Sequence, residues 1–266
     1  MPISSSRRVC RRDPERVRPI QKGLNMKGIE AVERYLKTEA GALVRHPVAG
    51  AAPVRPVITI SRQAGAGGHK VAAALLETFA SDADQELFGG WQTFDRELCE
   101  LVAADPKFAH HLEALLAEQY ETKPADFFRQ IIGASVDRDL LAYEVFRVVR
   151  SVATIGKCII VGRAGSQLTR DLGLVVSVRI VAPEPDRIAG VMAYYGLEER
   201  EARQRAPALD EARARLLRKH FQLDIDDPRL YDVVWNTGQV PIPTIAESIA
   251  LLMRRKVEAA QLAGAV

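Results

Sequence analysis

The chain of 266 residues has few cysteines, few aromatic residues and no long hydrophobic run. Its three cysteines, Cys10, Cys99 and Cys158, lie far apart and include no CxxC pair, which argues against a disulfide framework and against a sulfur-rich zinc site. No stretch reaches the roughly 18–20 apolar residues that span a bilayer, and the N-terminus has no apolar core of a secretory signal. We therefore predict a protein of the reducing cytoplasm that does not enter a membrane.

The positive charge of the chain is small and local. The formal net charge is +3, but residues 1–25 hold seven basic residues and only two acidic ones, which leaves the rest of the chain slightly acidic. A protein that binds nucleic acid over a wide surface needs a basic face on its folded domain. The composition therefore predicts no nucleic-acid partner.

The N-terminal segment differs from the rest of the chain. Residues 1–25 are rich in Arg and Ser, which predicts a disordered basic tail, and three interpretations stay open: a solvated tail, an extension upstream of a start at Met26, or an organelle-targeting segment. Residues 26–52 are predicted to hold an accessory helix at 28–46 and a linker. The main domain is expected at 53–258, followed by a short tail at 259–266.

Short apolar runs alternate with helical patterns through the main domain. Strands are predicted at Val57–Ile60, at Cys158–Val161, at Val175–Val181 and at 231–236. Helical spacing of apolar residues is found at 138–155, 184–195, 198–221 and 244–258. This alternation predicts an α/β fold, with a parallel sheet covered by helices on both faces.

A glycine-rich loop follows the first strand and precedes a helix. Such a loop lets backbone N–H groups converge on a phosphate, and the helix N-terminus adds partial positive charge. We therefore predict an anion site at this turn. Its candidate nucleotide-binding residues are Ser61, Gly65, Ala66, Gly67, Gly68, His69 and Lys70.

The loop departs from both common phosphate-binding signatures. The dinucleotide pattern G-x-G-x-x-G would need a glycine where Lys70 stands. In the mononucleotide pattern G-x-x-x-x-G-K-[ST], Arg62 takes the place of the first glycine, Gly68 that of the lysine and His69 that of the hydroxyl residue. The missing cation can be replaced by Arg62 or by Lys70, and the sequence does not decide between them.

Several segments together resemble one family. Ile60-Ser61-Arg62-Gln63 followed by Gly65-Ala66-Gly67-Gly68 is similar to the opening of the cytidylate kinase-like family, a divergent branch of the P-loop nucleoside monophosphate kinases. The resemblance extends over residues 55–256. It implies a three-layer P-loop NTPase-like parallel sheet flanked by helices, with a helical lid at 184–221 and an acceptor-side insertion at 96–137. The further matching segments are 94–98, 161–163, 181–187, 210–213 and 232–237.

The resemblance implies an enzyme that moves the γ-phosphoryl group of ATP to CMP or dCMP with the help of Mg²⁺. Its partners would be small-molecule nucleotides. Because the lysine and the hydroxyl are missing from the loop, two alternatives stay open: a catalytically weak nucleotide-binding sensor or scaffold, and a kinase for another small-molecule acceptor. The sequence identifies no metal ligand.

Residue roles follow from the matching segments and from side-chain chemistry. Arg163 and Arg213 can each hold the acceptor phosphate with two hydrogen bonds. Asp210, three residues before Arg213 on a helix, can accept from the cytosine amino group or orient the arginine. Asp95 can bind the acceptor sugar or orient a basic group, and Arg187 can cover the donor phosphates from a mobile lid. The candidate catalytic residues are Arg62, Lys70, Arg163 and Arg187.

Overall fold

The computed structural model describes residues 30–36, 38, 55–104 and 140–263. Three predicted features lie outside the described residues: the basic tail at 1–25, the insertion beyond residue 104, and the last residues of the C-terminal tail. Of the predicted accessory helix, residues 30–35 are α-helical. Its side chains Val32, Tyr35 and Leu36 are buried, so this segment packs on the main domain.

Five parallel strands form one sheet. They are β1 (Val57–Arg62), β2 (Gln92–Phe94), β3 (Cys158–Val161), β4 (Val175–Val181) and β5 (Val233–Asn236). The strand order is β2-β3-β1-β4-β5, with β1 at the centre. The chain first leaves β1 toward the side of β2 and β3, and later crosses to β4, so the connections reverse direction at β1. Parallel sheets bind ligands at the carboxyl ends of the strands where this reversal occurs.

Eight α-helices and one 3₁₀ turn at Pro228–Leu230 are assigned within the domain part, residues 55–104 and 140–263. The helices are α1 (Gly68–Ser81), α2 (Gln85–Phe88), α3 (Arg96–Ala104), α4 (Leu140–Ile155), α5 (Gly165–Leu168), α6 (Glu184–Tyr195), α7 (Glu199–Phe221) and α8 (Ile242–Leu262). No helix in the described part of the chain is long and apolar enough to cross a membrane.

Both faces of the sheet are buried, which explains why its strands are apolar without a regular polar alternation. On one face, Ile58 and Ile60 of β1 pack with buried residues of α1 and α8. On the other face, Val57 and Cys158 pack with buried residues of α4. The domain therefore has three layers, helix on sheet on helix, as the sequence predicts.

A third, smaller core joins the glycine loop to α6 and α7. Ala64 of the loop is buried together with Ile188 and Val191 of α6 and Ala202 and Ala206 of α7. The two helices of the predicted lid thus pack directly on the loop.

The predicted strands and helices lie within about two residues of the observed ones, except at the C-terminus, and the short helices α2 and α5 were not predicted. Helix α8 continues to Leu262, whereas the prediction places a tail from residue 259 onward. The last buried apolar residue of α8 is Val257, so the helical pattern that the prediction used ends there. The residues beyond it include Ala259 and Ala260, which have high helix propensity, and Ala260 is partly buried against the core.

Candidate functional site

The glycine loop between β1 and α1 has the backbone of an anion site. Gly65 and Gly67 adopt φ angles of +77° and +85°, a region that glycine enters without steric cost. The backbone N–H groups of Gly67, Gly68, His69 and Lys70 find no hydrogen-bond acceptor among the described residues. The start of α1 therefore presents free donors and the positive end of a helix dipole.

The side chain of Arg62 crosses the loop at the position where the mononucleotide pattern has its lysine. A Cβ atom at Gly68 would lie 2.9 Å from Cγ of Arg62, and a Cβ atom at Gly162 would overlap Nη1 of Arg62. Two glycines that are distant in sequence thus make room for one side chain. Lys70, the other candidate for the missing cation, is exposed on α1.

The guanidinium of Arg62 has no counter-ion. It makes no hydrogen bond or ion pair with any described residue. Burial, followed by the positive charges of Arg213 and Arg163, lowers the pKa of Arg62 to about 10. Arg62 remains protonated at neutral pH. Glu100 pairs with Arg163 and Asp210 pairs with Arg213, whereas Arg62 has only the nearby charge of Asp95 and no ion pair among the described residues. Such an arrangement favours the binding of an anion.

Arg163 is held in a strained turn after β3. Gly162, Arg163 and Ala164 have φ angles of +83°, +53° and +54°. For the two residues that are not glycine, this conformation costs on the order of 1–3 kcal/mol each. Nη2 of Arg163 forms an ion pair with Glu100 of α3, while its Nε is buried without a hydrogen-bond partner. Burial is the main cause that lowers the pKa of Arg163.

Asp210 of α7 connects the glycine loop to both lid helices. Its Oδ1 accepts a hydrogen bond from the Ala64 backbone N–H at 2.7 Å and another from Nη1 of Arg213 at 2.9 Å. Its Oδ2 pairs with Nη2 of Arg187, whose Nε also donates to the Ala64 carbonyl at 3.1 Å. Both carboxylate oxygens are therefore engaged within the protein. This geometry favours an orienting role for Asp210 over contact with a base.

Asp95 and His69 lie on the side of the loop that faces α3. Oδ1 of Asp95 accepts a hydrogen bond from the Leu98 backbone N–H at 2.9 Å and so caps α3. The His69 ring stacks on Tyr194 with centroids 5.5 Å apart. Burial and then the charge of Arg62 lower the pKa of His69, so its imidazole is neutral at pH 7. The His69 ring packs on Tyr194, and its backbone N–H belongs to the free donors of the loop, so a phosphate contact for His69 stays a prediction.

Ser61 has a structural role beneath the loop. Its hydroxyl accepts hydrogen bonds from Nη1 of Arg179 at 2.9 Å and from the Tyr231 hydroxyl at 3.2 Å. Arg179 in turn pairs with Asp226 at 2.5 Å. The side chain of Ser61 is thus committed to this buried cluster and not to the loop. The sequence contained a signal for this cluster, because Arg179 is the one charged residue in the mostly apolar strand β4.

A cavity of about 430 Å³ opens between the loop, α7 and the turn that follows α7. Arg62 lines it together with three further arginines, and each of those three has an acidic partner. The pairs are Arg179 with Asp226, Arg187 with Asp210, and Arg218 with Glu211. Among the four cavity arginines, Arg62 is the one without an acidic partner in the described part of the chain.

The described side chains form no metal site of their own. Within residues 30–36, 38, 55–104 and 140–263, no group of three or more His, Cys, Asp or Glu side chains is placed to hold a metal ion. Mg²⁺ is commonly held by one or two carboxylates together with substrate phosphates. The residues present thus fit a magnesium ion only if it enters with the phosphates of a nucleotide.

Four residues of the site were not anticipated from the sequence. Glu100 pairs with Arg163, and Tyr194 and Tyr195 border the loop at the end of α6. Thr237, after β5, donates from Oγ1 to the Ala66 carbonyl at 2.9 Å and braces the loop. The two tyrosines carried a usable signal, because adjacent aromatic residues at the polar end of a helix are uncommon on a surface.

Comparison with solved structures agrees with this fold. An uncharacterized protein from Eubacterium ventriosum is 24% identical, with a TM-score of 0.58 over 76% of this chain and 99% of that one. TT1252 from Thermus thermophilus is 17% identical, with a TM-score of 0.42 over 76% and 98%. Shikimate kinase from Bacteroides thetaiotaomicron is 11% identical, with a TM-score of 0.40 over 77% and 99%. A search of curated proteins found no significant match.

Comparison with protein families gives a more specific result. The profile of the cytidylate kinase-like family matches residues 57–239, which span the sheet, the glycine loop and both lid helices. The family match supports a kinase-like phosphotransferase for a nucleotide or another small molecule. Because the match covers more than half of the sequence, the chain belongs to the cytidylate kinase-like family.

Proposed function

We propose that the protein transfers the γ-phosphoryl group of ATP to CMP or dCMP. The observation that carries this proposal is the unpartnered guanidinium of Arg62, which lies beside Arg163 and Arg213 at the open N-terminus of α1. Phosphoryl transfer concentrates negative charge on the transferred group and on its two neighbours. A cluster of arginines at the end of a glycine loop supplies the matching positive charge.

The reaction requires an oxygen of the acceptor phosphate to attack the γ-phosphorus of ATP. The bond between that phosphorus and the β,γ-bridging oxygen breaks, so that the products are a nucleoside diphosphate and ADP. Arg163 and Arg213 hold the acceptor phosphate, because a planar guanidinium matches two phosphate oxygens at once. Asp210 holds Arg213 in position through the 2.9 Å ion pair.

Arg62 takes the role that a lysine has in the common form of the loop. Its stem occupies the space above Gly68, so its charge reaches the site from the end of β1 instead of from α1. A bound phosphate would stabilise the protonated guanidinium and raise the pKa of Arg62 toward its ordinary value. Lys70 is exposed, and we assign it no part in transfer.

The donor binds over the glycine loop in this proposal. The free N–H groups at the start of α1 suit its phosphates, and Mg²⁺ enters with them. Arg187 lies on the loop, in contact with Ala64 and Asp210. We infer that α6 moves away to admit ATP, after which Arg187 covers the phosphates.

A second candidate is a nucleotide-binding protein with little turnover. The observation in its favour is that Gly68 and His69 replace the lysine and the hydroxyl, while the His69 ring stacks on Tyr194. Removal of one transition-state donor typically lowers turnover roughly 10²–10³-fold. A kinase for another acceptor would use the same loop and would not depend on CMP.

The test is ADP formation from MgATP with CMP, dCMP, UMP, AMP and GMP as acceptors. We expect turnover with CMP or dCMP, a fall of roughly 10²–10³-fold in kcat for Arg62→Ala, and little change for Lys70→Ala. Arg213→Ala should raise KM for the acceptor. Nucleotide binding without turnover would favour the second candidate, and turnover without a need for CMP or dCMP would favour another acceptor.

A further inference from the structure

Two exposed tyrosines lie at the C-terminal end of α6. Tyr194 is 55% exposed and Tyr195 is 39% exposed, and no other aromatic side chain among the described residues is exposed. Their rings meet edge to face with centroids 4.8 Å apart. Exposed, adjacent aromatic rings leave apolar surface in water, which is unfavourable unless a ligand covers it.

The tyrosines are tied to the glycine loop by two further contacts. The His69 ring, one residue after Gly68, lies nearly parallel to the Tyr194 ring, at an angle of 17°. The Arg205 guanidinium lies 4.3 Å from the centroid of Tyr195. We call His69, Tyr194 and Tyr195 the aromatic platform. It is built from α1 and α6 and stands at the edge of the phosphate site.

The platform lies on the acceptor side of the loop. Burial raises the pKa of Tyr194, and the negative charges of Glu97 and Asp95 near the start of α3 contribute to the same shift. Arg62 is also close to Tyr194, and its positive charge lowers the pKa of the tyrosine. The platform therefore lies close to Arg62 and to the first turn of α3, and the charge of Arg213 acts on His69, its member in α1.

The composition of the platform suits a planar ring. His69 is neutral at pH 7. Neutral aromatic rings can stack on any nucleobase, because every base has a π-face. One face of Tyr195 is covered by Arg205, whereas Tyr194 keeps more than half of its surface open. Tyr194 is thus the residue with room for a ligand.

We propose that the base of the acceptor nucleotide stacks on the aromatic platform, with Tyr194 as the residue that contacts it. This proposal rests on the proposed function, because it takes the acceptor phosphate to be held by Arg163 and Arg213. It restricts the acceptor to molecules with a planar ring and excludes small acids and simple sugar phosphates as good substrates.

The test compares binding of CMP with that of ribose 5-phosphate, which has the sugar and phosphate but no base. Calorimetric titrations of the full chain should show CMP binding about 10- to 100-fold more tightly. Tyr194→Phe should keep this ratio and Tyr194→Leu should reduce it to near one. Leu251→Ala, a change at an exposed residue of α8, serves as the control and should leave the ratio unchanged.

The outcomes separate this proposal from the proposed function. Equal binding of the two ligands to the unmodified protein, or an unchanged ratio in Tyr194→Leu, would overturn the platform while leaving the phosphate site intact. Arg213→Ala should weaken both ligands by a similar factor. Absence of binding by either ligand would overturn the phosphate site itself, and the platform proposal with it.

Discussion

Gly190 of α6 lies directly against Gly65 of the glycine loop, so closely that a Cβ atom at position 190 would overlap the Gly65 carbonyl oxygen. A Cβ atom at Gly65 would in turn overlap the backbone carbonyl of Arg187. Two backbones can approach this closely only where neither residue has a side chain. The lid helix therefore rests on the loop through main-chain contact, and the glycine pair sets the distance between them.

Replacement of Gly190 should separate the lid from the loop. We expect Gly190→Ala to lower the free energy of unfolding by about 1–3 kcal/mol, because α6 must shift to avoid the overlap. Urea denaturation measures the change. Gly173→Ala is the matched control, since a Cβ atom at Gly173 meets nothing within 4 Å. Equal stability of the two variants would contradict the described contact.

The path of Arg62 over Gly68 predicts a non-additive pair of substitutions. Gly68→Lys alone should lower kcat, because its Cβ would lie 2.9 Å from Cγ of Arg62 and displace that side chain. The double variant Arg62→Gly with Gly68→Lys restores the first glycine and the lysine of the common loop pattern and should be more active than either single variant. Steady-state assays with MgATP and CMP measure the three rates. Additive losses in the double variant would argue against the shared position.

The contacts of Asp210 predict strong coupling to Arg187. A double-mutant cycle with Asp210→Ala and Arg187→Ala should give an interaction energy of about 1–3 kcal/mol in urea denaturation, because the two side chains share the Ala64 backbone. The exposed pair of Arg203 and Glu184 is the control. Its coupling should stay below about 1 kcal/mol. Similar coupling in both cycles would show that the contact does not join the lid to the loop.

The lowered pKa of His69 predicts that the free energy of unfolding depends on pH. Burial, and then the positive charge of Arg62, hold the pKa of His69 below its ordinary value of 6.5. Between the lowered pKa and 6.5 the unfolded chain binds more protons than the folded protein, so stability falls as pH drops through this range. His69→Gln should lose less stability than the unmodified protein between about pH 7 and about pH 5. Parallel stability curves for the two proteins would refute the shift.

Local patterns were sufficient to predict the fold. The β-branched run before the loop and the apolar run Val175–Val181 became strands with nearly the predicted bounds, since buried parallel strands need little more than apolar side chains. The glycine loop could also be located from the sequence, because its position between a strand and a helix is a local feature. The match of 57–239 to the family agrees with both.

The contacts within the site depend on residues far apart in the sequence. Our proposal gives the role of the missing cation to Arg62 and not to Lys70, and it depends on Gly162, which follows another strand and opens space for the guanidinium. The position of Asp210 depends in the same way on Ala64, which lies 146 residues earlier. Such relationships arise only when the sheet and lid are assembled. Residue spacing along the chain therefore could not predict them.

The turn that carries Arg163 shows how this chain divides its sequence between folding and function. Glycine would adopt a φ of +53° without steric cost, yet position 163 holds an arginine. A protein selected only to fold readily would favour glycine there, as it does at the preceding position 162. If Arg163 holds the acceptor phosphate as we propose, this turn trades conformational ease for a placed positive charge, as expected where activity and stability make opposing demands on one residue.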